Sequence, residues 1–273
     1  MTLSARQGPG NANQSTTRPA KYLAAANVSR TLPTVVTSTG NHFNQQALQF
    51  SGSTTTAGNT IYIGRTSSAN SAANWSATGQ NLQDGGSTGN LWLQNAGQVT
   101  IEGWFYFTTV PATATGIIEY GGNGFTLAIS SNVAMYTAKT GQGYSVNFTW
   151  SPTTGLYANT WTHIAWQRSF AANGNPYQSA WINGNIANNT ANAPNASYNV
   201  YTGTNPQASA NTPYIGGAVG SNYLNAQVQE FRISNIARYN QVGNLTVPTS
   251  TFVNDNNTLL LIHGNSATTD DNS

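Results

Sequence analysis

Seven acidic side chains could supply acid–base chemistry: Asp84, Glu102, Glu119, Glu230, Asp255, Asp270 and Asp271. A retaining glycosidase needs two carboxyls about 5 Å apart, one to attack and one to pass the proton. Only Asp270 and Asp271 are close in sequence, and they lie in a polar tail. Glu102 and Glu119 could meet across strands, but the simpler expectation is that each is a rim or cross-strand hydrogen-bond partner. The three histidines, His42, His163 and His263, are far apart, and His163 is expected to pack and hydrogen-bond within a strand. No Gly-x-Ser-x-Gly nucleophile motif occurs. Calcium would need several oxygen ligands from an acid-rich loop, and the chain has none. Without cysteine there is neither thiolate chemistry nor a disulfide framework. The expectation is no catalytic centre, no metal site and no cofactor.

Aromatic residues leave one binding chemistry open. Trp75, Tyr157, Tyr177, Tyr201 and Tyr223 fall in expected loops or strand ends, where a ring can stack on a sugar face while Asn and Gln bind hydroxyls. Trp75, Tyr177, Tyr201 and Tyr223 are the candidate glycan contacts. Trp104, Trp161, Trp166 and Trp181 are expected to cap the core instead, with Trp161 and Trp166 in or against the space between two sheets.

These side chains need a scaffold, and composition indicates its kind. Charged residues are only 6% of the 273, with a net charge of +2, against a usual share of about 25%. The surface is therefore built from Asn, Gln, Ser, Thr and Gly. Basic residues Arg6, Arg18, Lys21, Arg30 and Arg65 all precede the first acid, Asp84. Residues 1–40 lack strand alternation or helical period and read as an extended basic arm, with Arg6, Arg18, Lys21 and Arg30 docking on an acidic neighbouring subunit. Packing of the arm along its own sandwich is the alternative. Nucleic acid is not an expected partner, because the basic residues are few and not interleaved with aromatics. The segment Met1–Gly10 has no apolar core, and no run is long enough to span a bilayer, so neither export nor membrane anchoring is expected.

Residues 41–265 read as short β runs bounded by Gly, Asn, Pro and Ser, with a polar tail at 266–273. His42–Phe50 is the expected first strand, with Phe43, Leu48 and Phe50 as core candidates, and Ile61–Ile63 the second. Tyr144, Val146, Phe148 and Trp150 alternate with Ser145, Asn147 and Thr149, as in a half-buried strand. Asn183-Gly184 signals a type I′ hairpin, because both positions need positive φ. Residues 64–97 and 188–211 form long polar loops. The class is all-β, an antiparallel two-sheet sandwich.

An ordered series sharpens this reading: Thr100-Ile-Glu-Gly-Trp-Phe-Tyr-Phe107, Trp161-Thr-His-Ile-Ala-Trp-Gln-Arg168, Trp181-Ile-Asn-Gly-Asn185, Tyr214-Ile-Gly-Gly217 and Val228-Gln-Glu-Phe-Arg-Ile233, then Ile236-Ala-Arg-Tyr239. From His42 to Gly264 the chain resembles the laminin G-like branch of the concanavalin A-like lectin/glucanase superfamily, a jelly roll of two curved sheets. Gln229 stands where those relatives often carry Asp, which weakens any metal role for that corner. The ending, Val247–Phe252 and Asn257–His263, looks like that of laminin G-like modules in bacteriophage structural proteins. The resemblance implies a non-enzymatic virion protein, a capsid decoration or tail-associated subunit bound to other virion proteins and itself oligomeric. The alternative is a lectin module binding a host-surface glycan.

Overall fold

The computed structural model describes residues 23–24, 33–44, 46–52, 60–63, 98–120, 125–130, 134–139, 144–150, 155–170, 176–187, 213–217 and 223–265. Two antiparallel sheets are built from β1 (Leu23–Ala24), β2 (Thr34–Thr37), β3 (Gln46–Ser51), β4 (Ile61–Ile63), β5 (Val99–Tyr106), β6 (Thr115–Tyr120), β7 (Phe125–Ser130), β8 (Ala134–Lys139), β9 (Tyr144–Thr149), β10 (Trp161–Phe170), β11 (Pro176–Ile182), β12 (Asn185–Ile186), β13 (Pro213–Ile215), β14 (Asn225–Ser234) and β15 (Thr258–Ile262). One sheet runs β1-β4-β13-β6-β7-β8-β9. The other runs β12-β11-β10-β5-β14-β3-β2, with β15 added on β14. This is the jelly-roll sandwich that the sequence implies.

The core lies between the sheets. Ile101, Phe105, Ile164, Trp166, Val228, Phe231 and Ile233 of the larger sheet meet Ile61, Ile118, Leu127, Ile129, Phe148 and Ile215 of the smaller. Alternation along each strand sets this face. It also corrects the placement of Trp161, which stands five residues before Trp166 and so on the opposite face. Trp161 packs instead against a second cluster of Trp104, Phe252 and Leu261 on the outer side of the larger sheet.

Two further corrections concern the N-terminal part. The first strand does not start at His42: residues Thr39–Asn44 form a 3-10 helix, and β3 begins at Gln46. Phe43 and Gly40 hold positive φ there, 49° and 68°, which an extended strand cannot contain. Upstream, β2 pairs with β3 and β1 pairs with β4, so 23–24 and 34–37 form edge strands of the two sheets. The described part of residues 1–40 thus packs along its own sandwich. Arg6, Arg18, Lys21 and Arg30 lie outside the described residues.

Opposite Gly103 of β5, strand β14 carries a bulge: the register jumps from Gln229↔Trp104 to Arg232↔Glu102. Glu230 absorbs the extra residue at φ 53°. A Cβ at Gly103 would lie 3.2 Å from the Phe231 ring and 3.3 Å from its Cα, tight contacts that glycine avoids. The bulge holds Phe231 in the core while the Glu230 carboxylate accepts the Phe252 N–H at 2.7 Å.

Candidate functional site

The outer face of the larger sheet carries most of the polar chemistry, and a loop, residues 235–257, folds back across it between β14 and β15. Asn235 N–H donates to Asn257 O at 2.9 Å and closes the loop's base. Side chains of the sheet then read the loop's backbone in sequence. Thr100 donates to Ile236 O at 2.8 Å. Gln167 accepts from Tyr239 N–H and donates to Tyr239 O, both at 2.9 Å. Ser179 donates to Gln241 O at 2.7 Å and Trp181 to Gly243 O at 2.9 Å. At the far end Leu245 N–H reaches Gly184 O at 2.9 Å. Alternating polar positions that would ordinarily meet water are buried by this loop.

Glu102 sits at the centre, fully buried. Its Oε1 accepts from Arg232 Nη2 at 2.6 Å and Nε at 3.0 Å. Its Oε2 faces His163 Nε2 at 3.3 Å and accepts the Tyr239 hydroxyl. Burial alone would raise its pKa, but the bonds from His163, Arg232 and Tyr239 outweigh it and hold the carboxyl below the usual range. Burial and the Glu102 charge push the Tyr239 hydroxyl far up, so it stays a donor. Arg232 also lies over the Phe252 ring at 4.2 Å. Glu230 is likewise buried, bonded to His263 Nδ1 at 2.8 Å and to Phe252 N–H. Asp255 takes both Arg238 amines at 2.8 and 2.9 Å, and that pairing lowers its pKa strongly.

These contacts decide what the carboxylates can do. Glu102 and Glu119 lie on β5 and β6, strands of different sheets, and the Glu102 carboxylate is taken up by Arg232 and Tyr239 on the outer face. Glu102 is a cross-strand hydrogen-bond partner, and the His163 ring packs and bonds as expected. Asp84, Asp270 and Asp271 lie outside the described residues. Among the described residues no group of three His, Asp or Glu side chains is arranged to hold a metal.

Among the described residues, two half-exposed aromatic side chains meet at one end of the same sheet. Tyr106 ends β5, Trp161 begins β10, and the register sets Tyr106 opposite both Trp161 and Gln227. Both rings are half-buried, with centroids 5.7 Å apart. His42 stacks on Trp161 at 4.8 Å, and its Nδ1–H donates to Gln229 Oε1 at 2.8 Å. That direction is fixed because the Gln229 amide nitrogen is already donating to Gln46 O. Burial lowers the His42 pKa against the opposing pull of Gln229 and Glu230. Beside the rings, the loop 155–160 exposes Tyr157, at 44% of its surface, and Asn159, whose Oδ1 accepts from the Tyr106 hydroxyl at 3.4 Å. Asn159 holds φ at 57°, with its N–H on Phe107 O at 2.7 Å.

Of the aromatic residues singled out from sequence, Trp75 and Tyr201 lie outside the described residues. Tyr177 is in β11 opposite Ser169, and Tyr223 is half-buried just before β14. The structure does not bring Tyr177 to the Tyr106 end: Ser169 and Tyr177 pair at the opposite end of β10 from Trp161. Sequence reasoning missed Tyr106 and Trp161, assigning Trp161 to the core. The available signal was their position at strand ends on the face opposite Ile101 and Phe105.

No protein-family model matches the chain, nor does any curated protein. Solved structures share the sandwich. Domain 4 of AbnA, a GH43 extracellular arabinanase from Geobacillus stearothermophilus, in complex with arabinotriose, is 11% identical, with a TM-score of 0.46, covering 79% of this chain and 81% of that one. A botulinum neurotoxin type C structure concerned with two ganglioside molecules is 15% identical with a TM-score of 0.41, covering 75% and 42%. A Trypanosoma rangeli sialidase complex is 11% identical with a TM-score of 0.36, covering 72% and 26%. This chain therefore spans less than half of the toxin and sialidase chains, and the likeness to all three is one of fold.

Proposed function

We propose that this chain is a non-catalytic glycan-binding module whose ligand stacks on the Tyr106–Trp161 platform. The observation that carries the reading is that pair of half-exposed rings at a sheet end, with Asn159 bonded to Tyr106, Gln227 opposite it in register, and the exposed Tyr157 two residues before Asn159. A pyranose offers C–H faces to aromatic rings and hydroxyls to amides, so the two chemistries match. The carboxylates Glu102 and Glu230 are held by buried partners, which argues against a role as nucleophile or acid.

A panel of neutral oligosaccharides tested by calorimetry should give binding that Tyr157→Ala and Tyr106→Phe weaken at unchanged thermal stability. Binding unaffected by both changes would refute the site. Turnover of a β-glucan by the purified chain would refute the non-catalytic reading. A second reading, docking of residues 1–40 on an acidic partner such as a virion subunit, draws on the four positive and no negative charges of that segment. A salt-sensitive association of the full chain with an acidic virion subunit would favour it.

A further inference from the structure

Two buried polar atoms on neighbouring rings of the outer face meet no protein partner: Trp104 Nε1 and His163 Nδ1. Trp104 is 9% exposed and His163 is 0% exposed, and their ring centroids lie 5.4 Å apart on paired positions of β5 and β10. Their hydrogen-bonding characters are complementary. An indole Nε1–H can only donate. His163 Nε2 is committed to the Glu102 carboxylate at 3.3 Å, which places the donated proton on that nitrogen, and in the neutral imidazole the Nδ1 lone pair is then the acceptor. The other buried tryptophans differ: Trp150 donates to Asn185 O at 2.8 Å, Trp166 to Gln178 Oε1 at 3.1 Å and Trp181 to Gly243 O at 2.9 Å.

We infer that Trp104 and His163 form a binding site for one internal water molecule, which accepts from the indole N–H and donates to His163 Nδ1. Two bonds of about 2.9 Å through one oxygen can span rings this close, and buried waters characteristically sit between polar groups that the protein leaves unpaired. The water ties β5 to β10 beneath the covering loop, whose Phe252 ring lies edge-on to His163 at 6.3 Å.

The test uses the full ¹⁵N-labelled chain and exchange-corrected water NOE spectra. The Trp104 indole N–H should show a direct cross-peak to water, while the indoles of Trp166 and Trp181 serve as dry controls. His163→Phe removes the acceptor and should abolish that cross-peak without moving the controls. A Trp104 indole with no water cross-peak in the unaltered protein overturns the proposal, as does a cross-peak that survives His163→Phe. If His163→Phe fails to fold, a crystal structure of the unaltered chain decides: an oxygen within bonding reach of both nitrogens upholds the site, and its absence refutes it.

Discussion

Removing the Glu102 charge should be among the costliest single changes in this chain, and the cost can be worked from its partners. The carboxylate is 0% exposed and the Arg232 side chain 10% exposed, so neither charge can turn to water if the other is lost. Breaking a buried pair by removing one member costs about 3 to 5 kcal/mol, mostly because the survivor is stranded. In Glu102→Gln the amide oxygen can still accept from Arg232. The amide nitrogen, however, then confronts the Tyr239 hydroxyl and His163 Nε2, both donors to Glu102. The expected loss is therefore about 3 to 5 kcal/mol, read from urea denaturation by tryptophan fluorescence. Glu102→Met with Arg232→Met removes both charges together and should recover most of that loss, because apolar replacements of buried pairs are often near neutral. A single-variant cost below about 1 kcal/mol would refute the account, as would a double variant as unstable as the two singles summed.

Gly184→Val should destabilise by about 2 kcal/mol or more, seen as a lower Tm: φ is 79° there and a Cβ would lie 2.6 Å from Leu245 O. Trp166→Ala should cost roughly 3 to 5 kcal/mol, as large core truncations do, and Trp161→Ala clearly less, since it is half-buried on the outer face; equal costs would contradict the assignment of faces. Deleting residues 1–44 removes β2 and the helix over Trp104 and Trp161 and should lower the urea midpoint markedly, whereas an unchanged midpoint would contradict the edge-strand pairing. On acidification, stability should fall in two stages. His42, with its pKa lowered by burial, contributes stability present above about 6.5 and lost as pH falls through its folded value. Glu102 and Asp255, also lowered, contribute stability present above about 4 that is lost at still lower pH. His42→Phe should remove the first stage only.

The strands were readable because their own residues declare them: Trp161–Arg168 is rich in aromatic and β-branched side chains, and Asn183-Gly184 supplies the positive φ of 46° and 79° that its turn needs. What escaped was the covering of one sheet face. Thr100, Glu102, His163 and Gln167 alternate with apolar residues in a manner that ordinarily marks a water-facing surface. They are buried because residues 235–257, which have no strand or helix period, return across the sheet and present backbone groups for them to bond. A non-periodic segment leaves no local signature of where it packs. The same limit hid the Tyr106–Trp161 platform, since its exposure depends on where that loop and the helix Thr39–Asn44 stop.

Strand β14 lies beside β5, β3 and β15, and its partners come from far along the chain. Thr39 N–H bonds to Gln227, 188 positions later. During synthesis the β2–β3 pair and β5 therefore leave the ribosome without the strand that joins them, and the edges of β3 and β5 that face β14 stay unpaired until Asn225–Ser234 has been made. Closing such long loops is entropically slow. Assembly should be a late event after β14 emerges, with a folding rate set by that strand rather than by the hairpins that form first.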